Sequence, residues 1–144
     1  MTILSLIPED LKTFLREIEE AGARLCLVGG APRDFFMSGL LSHDLDFEVR
    51  GGQVREIRDL LKKKGPSYTE LPYEIVRVNV LGYDLEFSSP RLEIPLVGNK
   101  SHHHFEAIFD PDLSYERSFS RRDFTLHAIG IELDLKNDKA KIID

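Results

Sequence analysis

The sequence predicts an α+β domain, a small mixed sheet packed against helices, and three observations lead there. Two segments carry apolar residues at the helical period of about 3.6, several others alternate apolar and polar residues as strands do, and the two kinds do not follow the regular βαβ order of a parallel sheet.

The elements follow in chain order. Leu11, Phe14, Leu15 and Ile18 fall on one helical face behind an acidic first turn, Glu9 and Asp10, and Gly22 supplies the stop, so a helix spans about 8–21. Residues 24–28 read as a buried strand ended by Gly29-Gly30, and a short helix follows through Phe35 to Gly39. Asp44-Leu45-Asp46-Phe47-Glu48-Val49 alternates acid and apolar with the period of a strand and is closed by Gly51-Gly52. A second amphipathic helix, about 53–64, turns Val54, Ile57 and Leu61 inward and ends on Lys62-Lys63-Lys64, where the helix dipole favours cations. Residues 74–80 and 83–88 read as strands joined by a Leu81-Gly82 turn. A polar loop with Pro95, Gly98 and Asn99 is expected to run to Phe105, followed by a strand over 105–109 and a break at Asp110-Pro111-Asp112. A helix capped near Ser114 then reaches about 128, and a strand over 130–135 has an edge partner at 141–143.

The 144 residues fit one domain, and 42% hydrophobic with 31% charged residues suits a folded globular chain rather than a disordered one. No apolar run reaches the length that spans a bilayer, and Met1-Thr2-Ile3-Leu4-Ser5 lacks the basic flank of a secretory signal, so a cytoplasmic location without membrane partners is expected. Cys26 is the only cysteine, which excludes an internal disulfide and a cysteine-rich zinc module; between Leu25 and Leu27 it reads as strand core. A net charge of −6 has the wrong sign for a free-standing nucleic-acid binder, so any RNA would need a local basic patch or further domains.

Four constellations could carry chemistry. Val28-Gly29-Gly30-Ala31-Pro32-Arg33-Asp34 sets two glycines where a strand hands over to a helix, so backbone N–H groups can approach a phosphate and Arg33 adds a fork of donors; a plain tight turn is the simpler reading of the glycines by themselves. Asp44 and Asp46, at i and i+2 of one strand, point to one face, and two such carboxylates repel unless a cation such as Mg²⁺ sits between them; a hydrated acidic face is the alternative. In Tyr83-Asp84-Leu85-Glu86-Phe87 the alternation recurs, and Glu86 or Asp84 could complete a three-carboxylate metal site, the register deciding which. Arg121-Arg122-Asp123 gathers positive charge suited to a polyphosphate, with a structural ion-pair cluster as the plain alternative. His102-His103-His104 reads as an exposed segment rather than a metal site, His127 as a core or supporting residue, and no serine, histidine and acid are spaced as a nucleophilic triad.

In this order the segments resemble the catalytic head of the class II tRNA nucleotidyltransferase and bacterial poly(A) polymerase family, the CCA-adding enzymes and their relatives. The resemblance covers about residues 24–144 and rests on Leu27-Val28-Gly29-Gly30-Ala31-x-Arg33-Asp34, Asp44-x-Asp46, Tyr83-Asp84-x-Glu86 leading into Pro90-Arg91, Phe109-Asp110-Pro111 and Arg121-Arg122-Asp123-Phe124-Thr125. It implies a polymerase-β-like nucleotidyltransferase fold. It further implies that Asp44 and Asp46 bind two Mg²⁺ ions, with Mn²⁺ as a substitute. Gly29, Gly30, Arg33, Arg122 and Asp123 would serve the incoming CTP or ATP, and Glu86 would be the third acidic residue. The implied reaction adds CMP or AMP to an RNA 3′ end, of tRNA type, with release of pyrophosphate. A nucleotide-binding module that works only with a partner, and transfer to a protein or small molecule, are the alternatives.

Two positions depart from the family pattern. Pro32 stands where a small aliphatic residue is usual and His127 where asparagine is usual. The chain is expected to be the head domain alone, over 1–144, without the neck, body and tail domains that select the base and grip tRNA.

Overall fold

The computed structural model describes residues 2–95, 105–120 and 129–144. After a 3-10 turn at Ile3–Leu6, the chain forms α1 (Glu9–Glu20), β1 (Arg24–Val28), α2 (Gly30–Ser38), β2 (Asp44–Arg50) and α3 (Val54–Lys64). It continues with β3 (Tyr68–Leu71), β4 (Ile75–Val80), β5 (Tyr83–Ser88), β6 (Arg91–Pro95), β7 (Phe105–Phe109), α4 (Tyr115–Phe119), β8 (Gly130–Asp134) and β9 (Lys139–Ile143). The order and composition of these elements are those of a mixed α+β domain. Among the described residues, no helix is long and apolar enough to cross a membrane.

Seven strands form one sheet in the order β3-β4-β5-β2-β1-β8-β9, and β6 pairs with β7 in a separate ribbon. Strand β2 lies at the middle of the large sheet, antiparallel to β1 and parallel to β5. Its alternation separates two worlds. Leu45, Phe47 and Val49 are fully buried on one face, where they join Leu25 and Leu27 of β1, Val76 and Val78 of β4, and Leu85 and Phe87 of β5. Helices α1 and α3 close this core with Leu11, Phe14, Leu15 and Ile18, and with Val54, Ile57 and Leu61, the residues whose helical spacing marked them. The rings of Phe47 and Phe87, opposed across the β2–β5 pairing, stack at 5.5 Å. Helices α2 and α3 end on Gly39 and Gly65, both in the left-handed conformation that terminates a helix without a Cβ clash.

On the other face the even-numbered residues of β2 meet different surroundings at its two ends. At the far end, Glu48 and Arg50 are buried and form an ion pair at 2.5 Å. The short helix α4 roofs them: Ser118 Oγ donates to Glu48 Oε2 at 2.7 Å, Arg50 donates to the Leu113 carbonyl, and its guanidinium lies 3.7 Å over the Tyr115 ring. The Tyr115 hydroxyl in turn donates to Glu132 of β8, and burial together with that acceptor pushes its pKa up. Cys26 lies against Val28 and Phe119 in the same layer, and burial pushes its thiol up to about 12, which keeps it protonated and inert, as its place between two leucines predicted.

Several boundaries differ from the sequence expectation. Residues 91–95, expected within a polar loop, form β6 opposite β7; Leu92 and Ile94 alternate with Arg91 and Glu93, a weak strand signal framed by Pro90 and Pro95. Strand β3 was not expected at all, being four residues of mostly polar sequence at the sheet edge. Ser114 caps α4 as expected, accepting a hydrogen bond from the Arg117 N–H at 3.3 Å. The rest of the helix expected to about 128, the loop around Gly98 and Asn99, and His102 to His104 lie outside the described residues.

The buried Glu48–Arg50 pair makes a direct prediction. Arg50→Met leaves a buried carboxylate without its cation and is expected to cost about 3–5 kcal/mol in urea denaturation. The double variant Glu48→Leu/Arg50→Met should recover most of that loss; equal destabilisation of the two would show that the unpaired charge is not the cause.

Candidate active site

The near end of β2 is where the acids are open. Asp44 is exposed and Asp46 partly so, while Leu45 and Phe47 between and beyond them are buried, so both carboxylates leave the same face of the strand. Parallel pairing with β5 sets Asp44 opposite Asp84 and Asp46 opposite Glu86. Both candidate third acids therefore lie on the aspartate face, with Glu86 level with Asp46.

The next strand carries two residues that the sequence reading passed over. Antiparallel β4 sets Arg77 opposite Glu86 and Asn79 opposite Asp84. Arg77 Nη2 donates to Glu86 Oε2 at 2.7 Å, and Asn79 Nδ2 donates to Asp84 Oδ1 at 2.9 Å. The hydrogen bond to Glu86, aided by the charges of Asp46 and Asp84, raises the Arg77 pKa further above its ordinary value. Their signal was present in the sequence: Val76, Val78 and Val80 alternate with Arg77 and Asn79, which places the polar pair on the face opposite the core. Asp44, Asp46, Arg77, Asp84, Leu85 and Glu86 line an open cleft of about 620 Å³, within the usual range of small-ligand sites. His43 borders it, its ring stacked on Tyr83 at 4.7 Å and its carbonyl accepting from the Asp84 N–H at 2.8 Å.

From the other side, β1 delivers the glycines. Val28 is opposite Asp46, so the turn that follows Val28 begins beside the aspartate. Gly29 has φ +75° and ψ −140°, a conformation that side chains other than glycine's rarely adopt. A Cβ at Gly29 would stand 2.7 Å from Asp46 Oδ2. The carboxylate thus occupies the space that a side chain at Gly29 would need, and helix α2 starts at the next residue with no side-chain cap hydrogen bond from its N-cap glycine. Arg33 sits in the first turn of α2; its Nε and Nη2 both donate to Asp34 Oδ1 at 3.1 Å, and a Cβ on Gly30 would lie 3.1 Å from Arg33 Nη2. Pro32 is buried in that turn, where its missing N–H removes one of the four donors that have no intrahelical partner, and α2 runs through it unbroken. Arg122, Asp123 and His127 lie outside the described residues.

The donor set is oxygen only, which suits a hard divalent cation such as Mg²⁺ rather than a thiolate- or imidazole-seeking metal. Among the described residues, no three His, Cys, Asp or Glu side chains converge as a ready-made metal-ligand group. Glu86 is turned to Arg77 and Asp84 to Asn79, while Asp46 lies against the Gly29 turn.

Gly29→Ala tests that close approach. It is expected to lower the unfolding free energy by about 1–3 kcal/mol through backbone strain and collision with Asp46. Trimming the neighbour, in Gly29→Ala/Asp46→Ala, should return the collision part; a Gly29→Ala protein as stable as the parent in urea would refute the contact.

Comparisons with known proteins bear on the family and the fold. Residues 25–144 match the poly(A) polymerase head domain. A solved tRNA-processing enzyme with CTP is 26% identical, with a TM-score of 0.64 over 90% of this chain and 30% of its own. A tRNA nucleotidyltransferase complexed with a primer tRNA and an incoming ATP analogue is also 26% identical, with a TM-score of 0.65 over 90% of this chain and 33% of its own. A CCA-adding enzyme in an apo form, 19% identical, shares the fold with a TM-score of 0.73 over 99% of this chain and 33% of its own. The chain thus spans about a third of the length of these structures. Comparison with curated protein sequences gives no match. The α+β sheet with its aspartate strand is the polymerase-β-like nucleotidyltransferase fold, and the chain belongs to the poly(A) polymerase head-domain family.

Proposed function

We propose that this chain is the catalytic head of a divalent-metal-dependent nucleotidyltransferase, which moves CMP or AMP from CTP or ATP to the 3′-hydroxyl of an RNA of tRNA type and releases pyrophosphate. The observation that carries the reading is the seating of Asp44 and Asp46 on one strand face, with Asp46 beside the Gly29 turn that opens α2. Acids for a cation and backbone donors for a phosphate tail are side by side, and a nucleoside triphosphate needs both.

Asp44 and Asp46 would hold Mg²⁺ and Glu86 would join them. When bound, such ions neutralise charge on the phosphates and make a hydroxyl a better nucleophile. The start of α2, which has no capping side chain, offers backbone N–H groups and a partial positive charge to the triphosphate, and Gly29 and Gly30 let it come near. Arg33, held by Asp34 at the same end of the helix, adds a guanidinium fork. Arg122 and Asp123, by family resemblance, would contact the nucleotide. In the transfer itself the acceptor oxygen bonds to the α-phosphorus, the α–β phosphoanhydride bond breaks, pyrophosphate leaves and the hydroxyl proton passes to solvent. No covalent enzyme intermediate is needed, so the protein's part is positioning and charge stabilisation.

Support for CTP, ATP and tRNA as partners comes from the similar enzymes solved with CTP and with a primer tRNA and an ATP analogue. The net charge of −6 agrees with a head that relies on other surfaces to grip RNA.

The test combines labelled CTP or ATP, Mg²⁺ and tRNA lacking its terminal nucleotides. Asp44→Ala and Asp46→Ala should each lower extension by at least about 100-fold, and chelation of the metal should abolish it. Binding of a non-hydrolysable triphosphate with Mg²⁺, weakened in both variants, checks the site without an acceptor. Triphosphate binding with no product, or label on protein instead of RNA, would replace the reading with a non-catalytic module or a different acceptor.

A further inference from the structure

The acidic face contains a cation of its own. Of the described residues lining the cleft, four are carboxylates, Asp44, Asp46, Asp84 and Glu86, and one, Arg77, is basic. Arg77 is not placed at random on that face. Cross-strand register sets it directly opposite Glu86, and Glu86 directly opposite Asp46, so the three form a row across β4, β5 and β2. The Arg77–Glu86 contact at 2.7 Å is a charge-assisted hydrogen bond, and its members are 55% and 27% exposed, so it opens readily to a stronger competitor.

Resting on the proposed metal-dependent reading of the site, we infer that Arg77 is a latch for the third carboxylate: it holds Glu86 while no divalent ion is bound, and an entering ion must take Glu86 from it. Arg77 is then a positioning residue that sets the ion concentration at which the site fills. The physical argument is one of competition. A carboxylate oxygen engaged by a guanidinium at hydrogen-bond distance has one of its lone pairs occupied, and a compact divalent ion and a guanidinium cannot both take that oxygen at full strength. Without Arg77, Glu86 would stand beside Asp44, Asp46 and Asp84 as an uncompensated fourth charge; with Arg77, part of that repulsion is relieved in the ion-free protein. The arginine therefore stabilises the empty site and weakens the filled one. Asn79 plays a neutral version of the same part for Asp84, with no charge to compete.

The experiment is isothermal titration of the 144-residue chain with MnCl₂, a reading independent of turnover, on the parent, Arg77→Gln, Glu86→Gln, the double variant and Asp46→Asn. Thermal melting checks that each is folded, as expected for side chains on a solvent-facing sheet surface. Arg77→Gln is expected to bind Mn²⁺ about three- to tenfold more tightly than the parent. In the Glu86→Gln background the same replacement should change affinity by less than about twofold, because the carboxylate that the arginine guards is gone. Equal gains in both backgrounds would mean simple charge repulsion and overturn the latch, as would an unchanged or weaker affinity in Arg77→Gln. Failure of the underlying reading has a separate signature: Mn²⁺ binding absent from every protein, or unaffected by Asp46→Asn, sinks the metal site and the latch with it.

Discussion

Strand β2 has to satisfy two environments with one alternating sequence. Its odd residues, Leu45, Phe47 and Val49, fill the middle of the hydrophobic layer, and its even residues, Asp44, Asp46, Glu48 and Arg50, all emerge on the opposite side. Because side chains change face at each residue, a slip of one position would drive two aspartates into the core and expose three apolar residues. The burial that folds the domain is thus also what orients the acids. Neighbouring strands complete the arrangement: β1 brings the Gly29 turn to Asp46, and β5 brings Glu86 level with it.

The polar side of that strand is divided by what covers it. Glu48 and Arg50 are shut beneath α4, where each charge finds a partner and the Tyr115 ring caps the guanidinium. Two residues away the roof stops, and Asp46 and Asp44 meet an open cleft. The difference matters for chemistry, since a buried ion pair is shielded from ligands while a carboxylate pair at a cleft can exchange partners. The same stretch of acid-and-apolar alternation therefore supplies an anchor for α4 at one end and a candidate cation site at the other.

Much of this was legible in the residues. The alternation of 44–49 and 83–88 gave the faces, the helical spacing of Leu11, Phe14, Leu15 and Ile18 gave the core side of α1, and the glycine pair marked the end of β1. Register was the hidden quantity. No local pattern says that β5 runs parallel to β2 with Asp46 facing Glu86, because that pairing joins segments about forty residues apart through backbone bonds that any sequence can make. Arg77 was overlooked for the same reason: its alternation put it on the polar face, but only the pairing of β4 with β5 puts it on Glu86. β3 and β6 escaped notice because short, charged segments near prolines look like loops until a neighbouring strand supplies their hydrogen bonds.

The outermost strands of the large sheet, β3 and β9, have a bearing on how the molecule behaves in a crowded solution. An unpaired strand edge is a template on which another chain can add, the first step toward fibrous aggregation. β3 offers only four residues, two of them the exposed and polar Thr69 and Glu70, and β9 presents the exposed ammonium groups of Lys139 and Lys141 to anything that approaches. Both margins are thereby discouraged from unwanted strand addition, by brevity on one side and by charge on the other.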